Sequence, residues 1–394
     1  MKAGRQVKHP SIALCVDRSQ GYASKVMQGV AKYVETYGPW SLFIDMRFSG
    51  DYAQNWLRRW KGDGILAYVE DARLARTLRN SSIPTVELFG HRHDLALPQV
   101  CPDNEAIGHL GAQHLLERNF RHFTFCGYSG RPFSELRQKG FTETLRKAGF
   151  DCAVQVLPRH AAVLQQWEQL QHRLVDWLMR LPKPNAIMAC SDRHAQRVLD
   201  ACRRANISVP EEIAVIGASN DEELCRLSNP PLTSVAYDCE RIGYEASQLL
   251  HQLMQEKKPR KTVPQIFIPP VGVVTRKSTD ITAIDDQFIA GTVRYIREHA
   301  CNGLSVNEIL SEFRISRSAF YGRFEKAIGR SPHDEILRVK LERARSLLTQ
   351  TNLAIERIAE MSGFANTEYL YVAFKRSMGV TPRHYRLMRG AAAR

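Results

Sequence analysis

Short apolar runs alternate with amphipathic stretches along the chain from Ser11 to about Thr279. The apolar runs have the length of buried strands, and they are SIALCVD, WSLFIDMR, DGILAYV, HFTFCGY, NAIMACSD and EIAVIGAS. Two stretches between them, YASKVMQGVAKYVETYG and ELRQKGFTETLRKAGF, space their apolar residues as amphipathic helices do. Strands and helices that alternate at this interval predict βαβ units and parallel sheets.

Polar side chains follow several of the predicted strands. Beyond the strand ends stand Asp17, Asp103, the pair Ser191 and Asp192, and the pair Asn220 and Asp221. Ligands of parallel sheets bind at the carboxyl ends of the strands, so these residues predict a site rich in hydrogen-bonding groups. For Asp192 and Asp221 a second interpretation stays open, because an Asp at the start of a helix also caps its backbone N–H groups.

The last hundred residues have a different, wholly helical pattern that occurs twice. Apolar residues at helical spacing stand at Val306, Ile309, Leu310, Phe313, Phe320 and Phe324, and again at Ile355, Ile358, Ala359, Leu370 and Phe374. With Ser316 and Asn366 as helix caps, each set predicts a helix, a tight turn and a second helix. The eighteen residues HDEILRVKLERARSLLTQ between the sets predict a connecting helix roughly 27 Å long. Such a helix can hold two recognition helices near one DNA turn, roughly 34 Å, apart.

Charge and motifs narrow the classes of protein further. The chain has 394 residues and a formal net charge of +14, which is compatible with a polyanionic partner. From residue 281 onward there are 18 Lys/Arg and 12 Asp/Glu, a net of +6, and the remaining 37 and 29 give +8, so the basic charge is not confined to the end. No G-x-G-x-x-G, G-x-x-x-x-G-K-[ST], G-x-S-x-G or H-E-x-x-H motif is present, so nothing in the sequence supports an enzyme.

Cysteine usage and hydropathy indicate the compartment. The nine cysteines have no C-x-x-C pair and no metal-type spacing with His, which favours reduced thiols in the cytoplasm and predicts neither a metal nor a cofactor. No apolar run approaches the ~20 residues that span a bilayer, and no secretion signal follows Met1. We therefore expect a cytoplasmic protein without a membrane partner.

The body resembles LacI-type and periplasmic sugar-binding regulators. The resemblance is carried by HLGAQHLLERNFRHFTFCGYSG with the following ELRQKGF, by the segment 189–254, and by VVTRKST ending at Thr279. It implies a two-lobed α/β body of the type I periplasmic-binding-protein-like class, with crossovers near 103–106, 235–239 and 265–272 around a cleft. Because those repressors carry their DNA reader before the first strand, and only ten residues precede Ser11, the reader is expected elsewhere.

The same resemblance implies a sugar effector in the cleft. The residues expected to contact it are Asp17, Tyr22, Asp103, Arg137, Ser191, Asp192, Asn220 and Asp221. Asp and Asn suit sugar hydroxyls, which both donate and accept, and an Arg can clamp them. For Arg137 an ion pair within the protein remains an alternative role. Ser191 replaces the usual Asn, and Ser219 stands where a ligand-reading Asp is common in the family.

The helical end, from about Asp286 to Arg386, resembles the DNA-binding domain of the AraC/XylS family. The matching motifs are RARSLL, IERIAEMSGF and F-K-R…G-V-T-P…Y-R. The family inserts both second helices into the major groove, which implies contacts from Arg317, Ser318, Tyr321, Thr367, Glu368 and Tyr371, with Lys375 and Arg376 on phosphates. Gly322 and Val372 stand where many members carry Arg, and Arg314 occupies a turn position that often has Gly.

The order of the two parts resembles that of the xylose operon regulators, which also share the run I-R-E-H-A-C at 296–301. We expect a tail at 1–10, a LacI-like sugar-binding domain at 11–279, a linker at 280–285, an AraC-type DNA-binding domain at 286–389 and a tail at 390–394. The resemblance implies a transcription activator of pentose catabolism that works as a homodimer, with D-xylose, double-stranded operator DNA and RNA polymerase as partners. Two alternatives stay open, a sugar-handling enzyme with a fused DNA-binding tail and a ligand-independent DNA-binding protein.

Overall fold

The chain forms two compact units, Met1–Asp280 and Ile281–Arg394. The computed structural model describes residues 9–16, 21–45, 56–57, 59–69, 72–90, 97–157, 164–256, 262–281, 286–351 and 353–390. The first unit, called the body below, is α/β, and the second unit is helical, so the fold class predicted from the sequence is confirmed.

The body alternates strands and helices throughout. In chain order it contains β1 (Ser11–Cys15), α1 (Gly21–Tyr37), β2 (Ser41–Asp45), β3 (Gly64–Ala67), α2 (Ala72–Arg79), β4 (Thr85–Glu87), β5 (Gln99–Pro102), α3 (Asn104–Leu116), β6 (His122–Tyr128), α4 (Pro132–Lys147), β7 (Cys152–Leu157), α5 (Leu164–Arg180), β8 (Asn185–Ala189), α6 (Asp192–Arg204), β9 (Ile213–Ala218), α7 (Glu222–Leu227), β10 (Thr233–Tyr237), α8 (Cys239–Gln255), β11 (Gln265–Ile268) and β12 (Pro270–Val274). A short 3-10 helix, Lys277–Thr279, follows β12.

Two sheets make two lobes. The strand order is β11-β5-β4-β3-β1-β2 in lobe 1 and β12-β10-β9-β8-β6-β7 in lobe 2. The pairing of β10 with β12 is antiparallel, and the other described pairings are parallel. Strands β3, β4, β5, β8 and β9 are buried along their whole length, as parallel strands with helices on both faces are. Between the described strands the chain crosses from one lobe to the other at Asp103, Asp238 and Pro269.

Glycines let one pair of helices in each lobe approach very closely. In lobe 1, a Cβ added to Gly29 of α1 would lie 1.9 Å from the carbonyl oxygen of Glu240, and one added to Gly243 of α8 would lie 2.0 Å from that of Val26. In lobe 2, Gly108 of α3 and Gly140 of α4 make the same reciprocal contact, each with its Cβ position 2.0 Å from a backbone oxygen of the facing helix. Any larger residue at these four positions would push the helices apart.

The helical unit repeats one arrangement twice. It contains α9 (Gln287–His299), a 3-10 turn (Ala300–Asn302), α10 (Val306–Glu312), α11 (Arg317–Ile328), α12 (Pro332–Gln350), α13 (Ile355–Met361), α14 (Thr367–Met378) and α15 (Pro382–Gly390). One apolar core centres on Phe320 and Phe324 of α11, and a second centres on Leu370 and Phe374 of α14. The connecting helix α12 has 19 residues, so it is about 28 Å long.

Each pair α10–α11 and α13–α14 is a helix-turn-helix with the expected turn geometry. Arg314 adopts φ 49° and Gly363 adopts φ 72°, both in the left-handed region. The position of Arg314 therefore favours Gly for a physical reason, because an L side chain is strained at such a φ. A Cβ on Gly363 would also lie 2.7 Å from the backbone of Cys301, so both space and conformation require glycine there. Asn366 caps α14 by accepting the N–H of Tyr369 at 2.8 Å.

Phe374→Ala should destabilise the helical unit by about 3–5 kcal/mol, because Phe374 is fully buried and its truncation leaves a cavity. Trp40, Trp56, Trp60, Trp167 and Trp177 are the five tryptophans of the chain, so tryptophan fluorescence reports on the body alone. In urea unfolding, the transition seen by circular dichroism should therefore shift while the fluorescence transition stays. Val372→Ala is the control, since Val372 is 66% exposed. Equal shifts in both variants would contradict the assignment of this core.

Candidate functional site

A cleft of about 170 Å³ opens between the two lobes at the carboxyl ends of their strands. Its lining residues are Gly21, Tyr22, Tyr68, Phe89, Tyr128, Arg131, Phe133, Arg137, Ser191, Asp192, Arg193, Ala218, Ser219, Asp221, Leu224 and Tyr237. The volume is below the ~300–1,000 Å³ typical of sites for drug-sized ligands, so the cleft suits a smaller molecule. Because both lobes contribute, a ligand here contacts both.

Aromatic rings form much of the cleft wall. The ring of Phe89 lies 5.1 Å from that of Tyr22, 4.3 Å from that of Tyr68 and 5.4 Å from that of Phe133, measured between centroids. Glu87, buried at the end of β4, fixes the turn that carries Phe89 by accepting its backbone N–H at 2.9 Å. The hydroxyl of Tyr22 donates to the Leu88 carbonyl, so this ring is fixed as well. Such rings offer apolar faces that can pack against the C–H face of a ligand ring.

Arg137 of α4 is the buried cation of the cleft, with 2% of its surface exposed. Its Nε donates to Asn104 Oδ1 at 2.9 Å, its Nη1 to the Cys190 carbonyl at 2.6 Å and its Nη2 to the Tyr237 hydroxyl at 3.4 Å. The guanidinium also lies 5.2 Å from the Phe133 ring centroid. All three acceptors are neutral, so the structure gives no support to an ion pair for Arg137. Among the described residues, these bonds use three of its five N–H groups, and the other two can reach a ligand oxygen.

Asp192 is the buried anion of the cleft, and hydrogen bonds within the protein hold both its oxygens. Ser234 Oγ donates to Oδ1 at 2.6 Å, while Ser219 Oγ and the backbone N–H of Asp221 donate to Oδ2 at 2.9 and 2.8 Å. Burial raises the pKa of Asp192, and these hydrogen bonds oppose that rise. Asp192 does not cap α6, because Ser191 is its N-cap residue. Asp221 does cap α7, by accepting the N–H of Leu224, and it also lines the cleft.

The turn after β9 has an unusual backbone that the network around Asp192 fixes. Ser219 and Asn220 adopt φ 127° and 48°, conformations that side chains other than glycine rarely take. The N–H of Asn220 donates to Ser234 Oγ at 2.9 Å, and its Oδ1 accepts from Arg276 Nη2 at 2.9 Å. Its carbonyl accepts from Lys25 Nζ of lobe 1 at 3.2 Å. The side chain of Asn220 is thus directed to Arg276, while its carbonyl makes a contact between the lobes.

The structure brings five of the eight residues expected to contact the effector into the cleft lining: Tyr22, Arg137, Ser191, Asp192 and Asp221. Asp103 lies at a crossover and caps α3 by accepting the N–H of Ala106 at 2.9 Å, and it does not line the cleft. Asn220 stands next to the cleft but bonds to Arg276. Asp17 lies outside the described residues.

Several residues that line the cleft were not predicted from the sequence, and most of them share one sequence feature. Tyr68, Phe89, Tyr128 and Tyr237 all stand at or just after the carboxyl end of a strand. The rule that pointed to polar residues at strand ends applies equally to aromatic ones. Phe133, by contrast, is positioned by the first turn of α4, so no strand-end pattern indicates it.

The residues expected to contact DNA lie on the outer sides of α11 and α14. Phe320 and Phe324 bury one side of α11, and Leu370 and Phe374 bury one side of α14. The remaining sides expose Arg317, Ser318, Glu368, Lys375 and Arg376 and leave Tyr321, Thr367 and Tyr371 half-buried. A Cβ on Gly322 would have no atom within 4 Å, so the missing side chain widens this surface and does not serve the core.

Arg317 has partners within the helical unit. Its Nη2 donates to Asn307 Oδ1 of α10 at 2.8 Å, and its guanidinium lies 5.8 Å from the ring centroid of Tyr321. Both contacts are at the surface, where water competes for them. They tie the first residue of α11 to the first turn of α10.

Other candidate chemistry is limited in the part of the chain that the structure describes. There, no three His, Cys, Asp or Glu side chains come together as a metal site. None of the helices in those residues is long and apolar enough to cross a bilayer. The nine cysteines are free thiols, and seven of them are buried.

His194 is a buried histidine beside the cleft, in the first turn of α6. Its ring centroid lies 3.8 Å from that of Tyr128, which lines the cleft. Among the described residues neither ring nitrogen has a hydrogen-bond partner. Burial, and secondarily the charge of Arg197, lowers the pKa of His194 to about 3. The imidazole is therefore neutral in the folded protein at neutral pH.

Comparisons with known proteins agree with this two-part organisation. Three family models match, the XylR N-terminal domain over 11–103, the periplasmic binding protein-like domain over 112–279 and the helix-turn-helix domain over 309–388. The xylose operon regulatory protein of Escherichia coli (strain K12) is 33% identical over 388 residues, which cover 96% of this chain and 97% of the relative. That of Haemophilus influenzae is 32% identical and covers 95% and 98%. A solved structure of the xylose-binding transcription activator xylR has a TM-score of 0.81 at 32% identity, covering 97% and 99%.

A two-lobed body with a cleft, followed by an AraC-type helix-turn-helix domain, defines a sugar-responsive transcription regulator that binds DNA. This confirms the class of protein predicted from the sequence. Within that class, the chain belongs to the family of xylose operon regulatory proteins.

The buried His194 predicts that acid destabilises the body. Because its folded pKa is about 3 and an unfolded histidine titrates near 6.5, the unfolded state binds more protons between these values, and stability falls as pH falls through that window. At pH 5.5 the decrease from this group is about 1.4 kcal/mol relative to pH 7.5. His194→Leu should remove that share of the pH dependence, measured by urea unfolding with tryptophan fluorescence at both pH values. His172→Leu, at an exposed position of α5, is the control for replacing a histidine outside the buried site.

Proposed function

We propose that this protein is a D-xylose-responsive activator of pentose catabolic genes. The sugar binds in the cleft between the lobes, and the sugar-bound protein binds operator DNA as a homodimer in the cytoplasm and contacts RNA polymerase. The observation that carries the proposal is the cleft itself, a small aromatic-walled site in which one buried Arg has two N–H groups without an acceptor among the described residues. The choice of sugar follows from the relatives, which are named for xylose.

The chemistry of the cleft suits an uncharged polyhydroxyl ligand. Its lining offers donors on Arg137, acceptors on Asp221 and rings on Tyr22 and Phe89. The carboxylate of Asp192 already accepts three hydrogen bonds, so its role in the proposal is to hold the turn at Ser219 in place. Related regulators commonly have an Asp at the position of Ser219. Here the Ser219 hydroxyl donates to Asp192 and so helps to fix the turn instead of accepting from a ligand.

The proposed response is a shift of population between open and closed lobes. Lys25 of lobe 1 donates to the carbonyl of Asn220 in lobe 2, and Gly21 at the start of α1 lies against the carboxylate of Asp221. A ligand that touches both lobes adds contacts only when they are closed, and so it favours the closed form. The proposal couples this closure to the arrangement of the dimer that binds operator DNA.

DNA binding is proposed to use α11 and α14 as the two recognition helices. The six residues Arg317, Ser318, Tyr321, Thr367, Glu368 and Tyr371 are proposed to face bases, and Lys375 and Arg376 to hold phosphates. The support is their placement on the outer sides of the two second helices, opposite the buried phenylalanines. Base-facing residues should govern sequence preference, whereas Lys375 should govern affinity for all duplexes alike.

Xylose should bind the purified full-length protein, and Arg137→Met should weaken that binding at least tenfold. The reason is that a hydrogen bond from a charged donor to a ligand oxygen is worth about 1.5–3 kcal/mol, and the variant cannot form it. Isothermal calorimetry with xylose, arabinose, ribose and glucose measures the effect. Arg146→Met, at an exposed position of the same helix, is the matched control. Arg137→Lys tests geometry, because it keeps the charge and removes the planar fork.

If xylose gives no heat while another of these sugars binds at micromolar concentration, the choice of sugar is wrong and the regulator stands. If Arg137→Met binds as the wild type does and is equally stable, the assignment of Arg137 is wrong. A melting temperature for each variant separates weaker sugar binding from an unfolded protein.

Sugar and operator should each tighten the binding of the other by the same factor, because linkage between two sites is reciprocal. A typical coupling of about 1–3 kcal/mol corresponds to a factor of 5–150. The measurement is a xylose titration with and without a duplex that the full-length protein has selected from a random pool, and the converse DNA titration. Identical sugar affinities in both titrations would favour the ligand-independent alternative.

A further inference from the structure

A second cleft, in the helical unit, lies between the two helix-turn-helix pairs and along α12. Its volume is about 380 Å³. We call it the α12 cleft, and it is lined by Leu304, Ser305, Val306, Asn307, Arg317, Tyr321, His333, Ile336, Leu337, Lys340 and Tyr369. The effector cleft of the body uses none of these residues, so the α12 cleft requires an explanation of its own.

The lining of the α12 cleft combines apolar, neutral polar and basic side chains. Leu304, Val306, Ile336 and Leu337 supply the apolar surface, and no lining residue is an Asp or Glu. Arg317 and Lys340 are the cations of the lining, and His333 lines the cleft beside them. A cleft with cations and no acid attracts an anion, and its apolar walls strengthen that attraction by excluding water.

Lys340 is the least compensated charge in this cleft. It is half-buried on α12, and among the described residues its ammonium has no hydrogen-bond or ion-pair partner. Burial lowers its pKa, which shows that the surroundings disfavour the charge. The glutamates of α12 are engaged elsewhere, since Glu335 pairs with Arg338 at 2.8 Å and Glu342 pairs with Arg338 at 3.1 Å. A partly desolvated cation without a partner is stabilised by an external anion.

The position of the cleft identifies the anion. Arg317 and Tyr321 come from the first turns of α11, and Tyr369 comes from the first turn of α14, so both proposed recognition helices border the cleft. When two such helices enter successive major grooves, the sugar-phosphate backbone between those grooves must pass the space between the helices. Arg317, whose Nη2 donates to Asn307 Oδ1 at 2.8 Å, lines the same cleft and adds positive potential there.

We propose that the α12 cleft is a binding site for a backbone phosphate of the DNA, with Lys340 as the cation that binds it. This inference rests on the proposed function, because it presupposes that α11 and α14 enter the major groove. A phosphate contact carries no base identity, so Lys340 contributes affinity and fixes the register of the two helices on the duplex. The connecting helix then takes part in binding instead of serving only as a spacer.

The test compares the salt dependence of DNA binding in full-length wild type, Lys340→Met and Lys147→Met. Lys147 is exposed at the end of α4 in the body, so its replacement removes the same charge without touching the helical unit. Fluorescence anisotropy gives the dissociation constant from 50 to 300 mM salt for two duplexes, one selected from a random pool by the wild type and one of unrelated sequence. Removing one phosphate contact should reduce the slope of log K against log salt by about 0.9.

The expected result is a slope reduced by about 0.9 for Lys340→Met and unchanged for Lys147→Met, with binding of Lys340→Met roughly three- to tenfold weaker on both duplexes near 0.1 M salt. Lys340→Arg should restore the slope. The melting temperature of Lys340→Met should not fall, because Met removes a half-buried charge and keeps the packing of the stem. A purely structural lysine would lower the melting temperature and leave the slope alone.

Three outcomes would overturn the inference, and they differ in whether the proposed DNA-binding function also fails. If the wild type binds DNA and Lys340→Met keeps its full slope, the phosphate site is wrong and the DNA-binding function stands. A second outcome is that inorganic phosphate stabilises the DNA-free wild type saturably and does not stabilise Lys340→Met, while the salt slope of DNA binding is the same for both proteins. In that case the cleft is a site for a small anion and not for DNA. If the wild type binds no duplex at all, the proposed function fails, and the inference fails with it.

Discussion

The close contact between α3 and α4 at Gly108 and Gly140 is the constraint on which the cleft between the lobes depends. A Cβ at either position would stand 2.0 Å from a backbone oxygen of the other helix, so the approach is possible only for glycine. The contact places Arg137, one turn before Gly140, deep enough to reach the carbonyl of Cys190 at the end of β8 and Asn104 at the start of α3. The position of the buried cation therefore follows from the backbone, and its guanidinium is already oriented before a ligand arrives.

The cleft combines a satisfied anion with an incompletely satisfied cation. Asp192 accepts hydrogen bonds from β10 and from the turn between β9 and α7. These bonds fix the backbone around the cleft and occupy both carboxylate oxygens. Arg137 is held by neutral oxygens, and in the part of the chain that the structure describes two of its N–H groups have no acceptor. Burying both groups is unfavourable unless their hydrogen-bonding capacity is filled. Protein donors fill the hydrogen-bonding capacity of Asp192. A ligand in the cleft can fill the remaining hydrogen-bonding capacity of Arg137.

The sequence predicted the architecture more completely than the site. The strand and helix alternation and the repeated helical pattern follow from periodicity and length, which a sequence displays directly. Asp192 could be named because it follows a strand end, and Arg137 because the resemblance to LacI-type regulators implies an effector contact at this position. The hydrogen-bond partner of Asn220 could not be predicted, because it depends on a left-handed backbone and on Arg276, more than fifty residues away. The aromatic wall was missed because Tyr68 and Phe89 look like ordinary core residues in a linear pattern.

The three crossings between the lobes impose an order on folding. Lobe 1 needs α8 and β11 to cover α1 and to complete its sheet, and these elements are synthesised only after the part of lobe 2 that runs from α3 to β10. Its native contacts therefore close a very long loop, which makes folding slow and leaves the face of α1 around Gly29 uncovered on the nascent chain. Each helix-turn-helix, built from neighbouring segments, can form quickly. The helical unit is synthesised after the body, but its native contacts join segments that are close in sequence, so we expect it to fold faster.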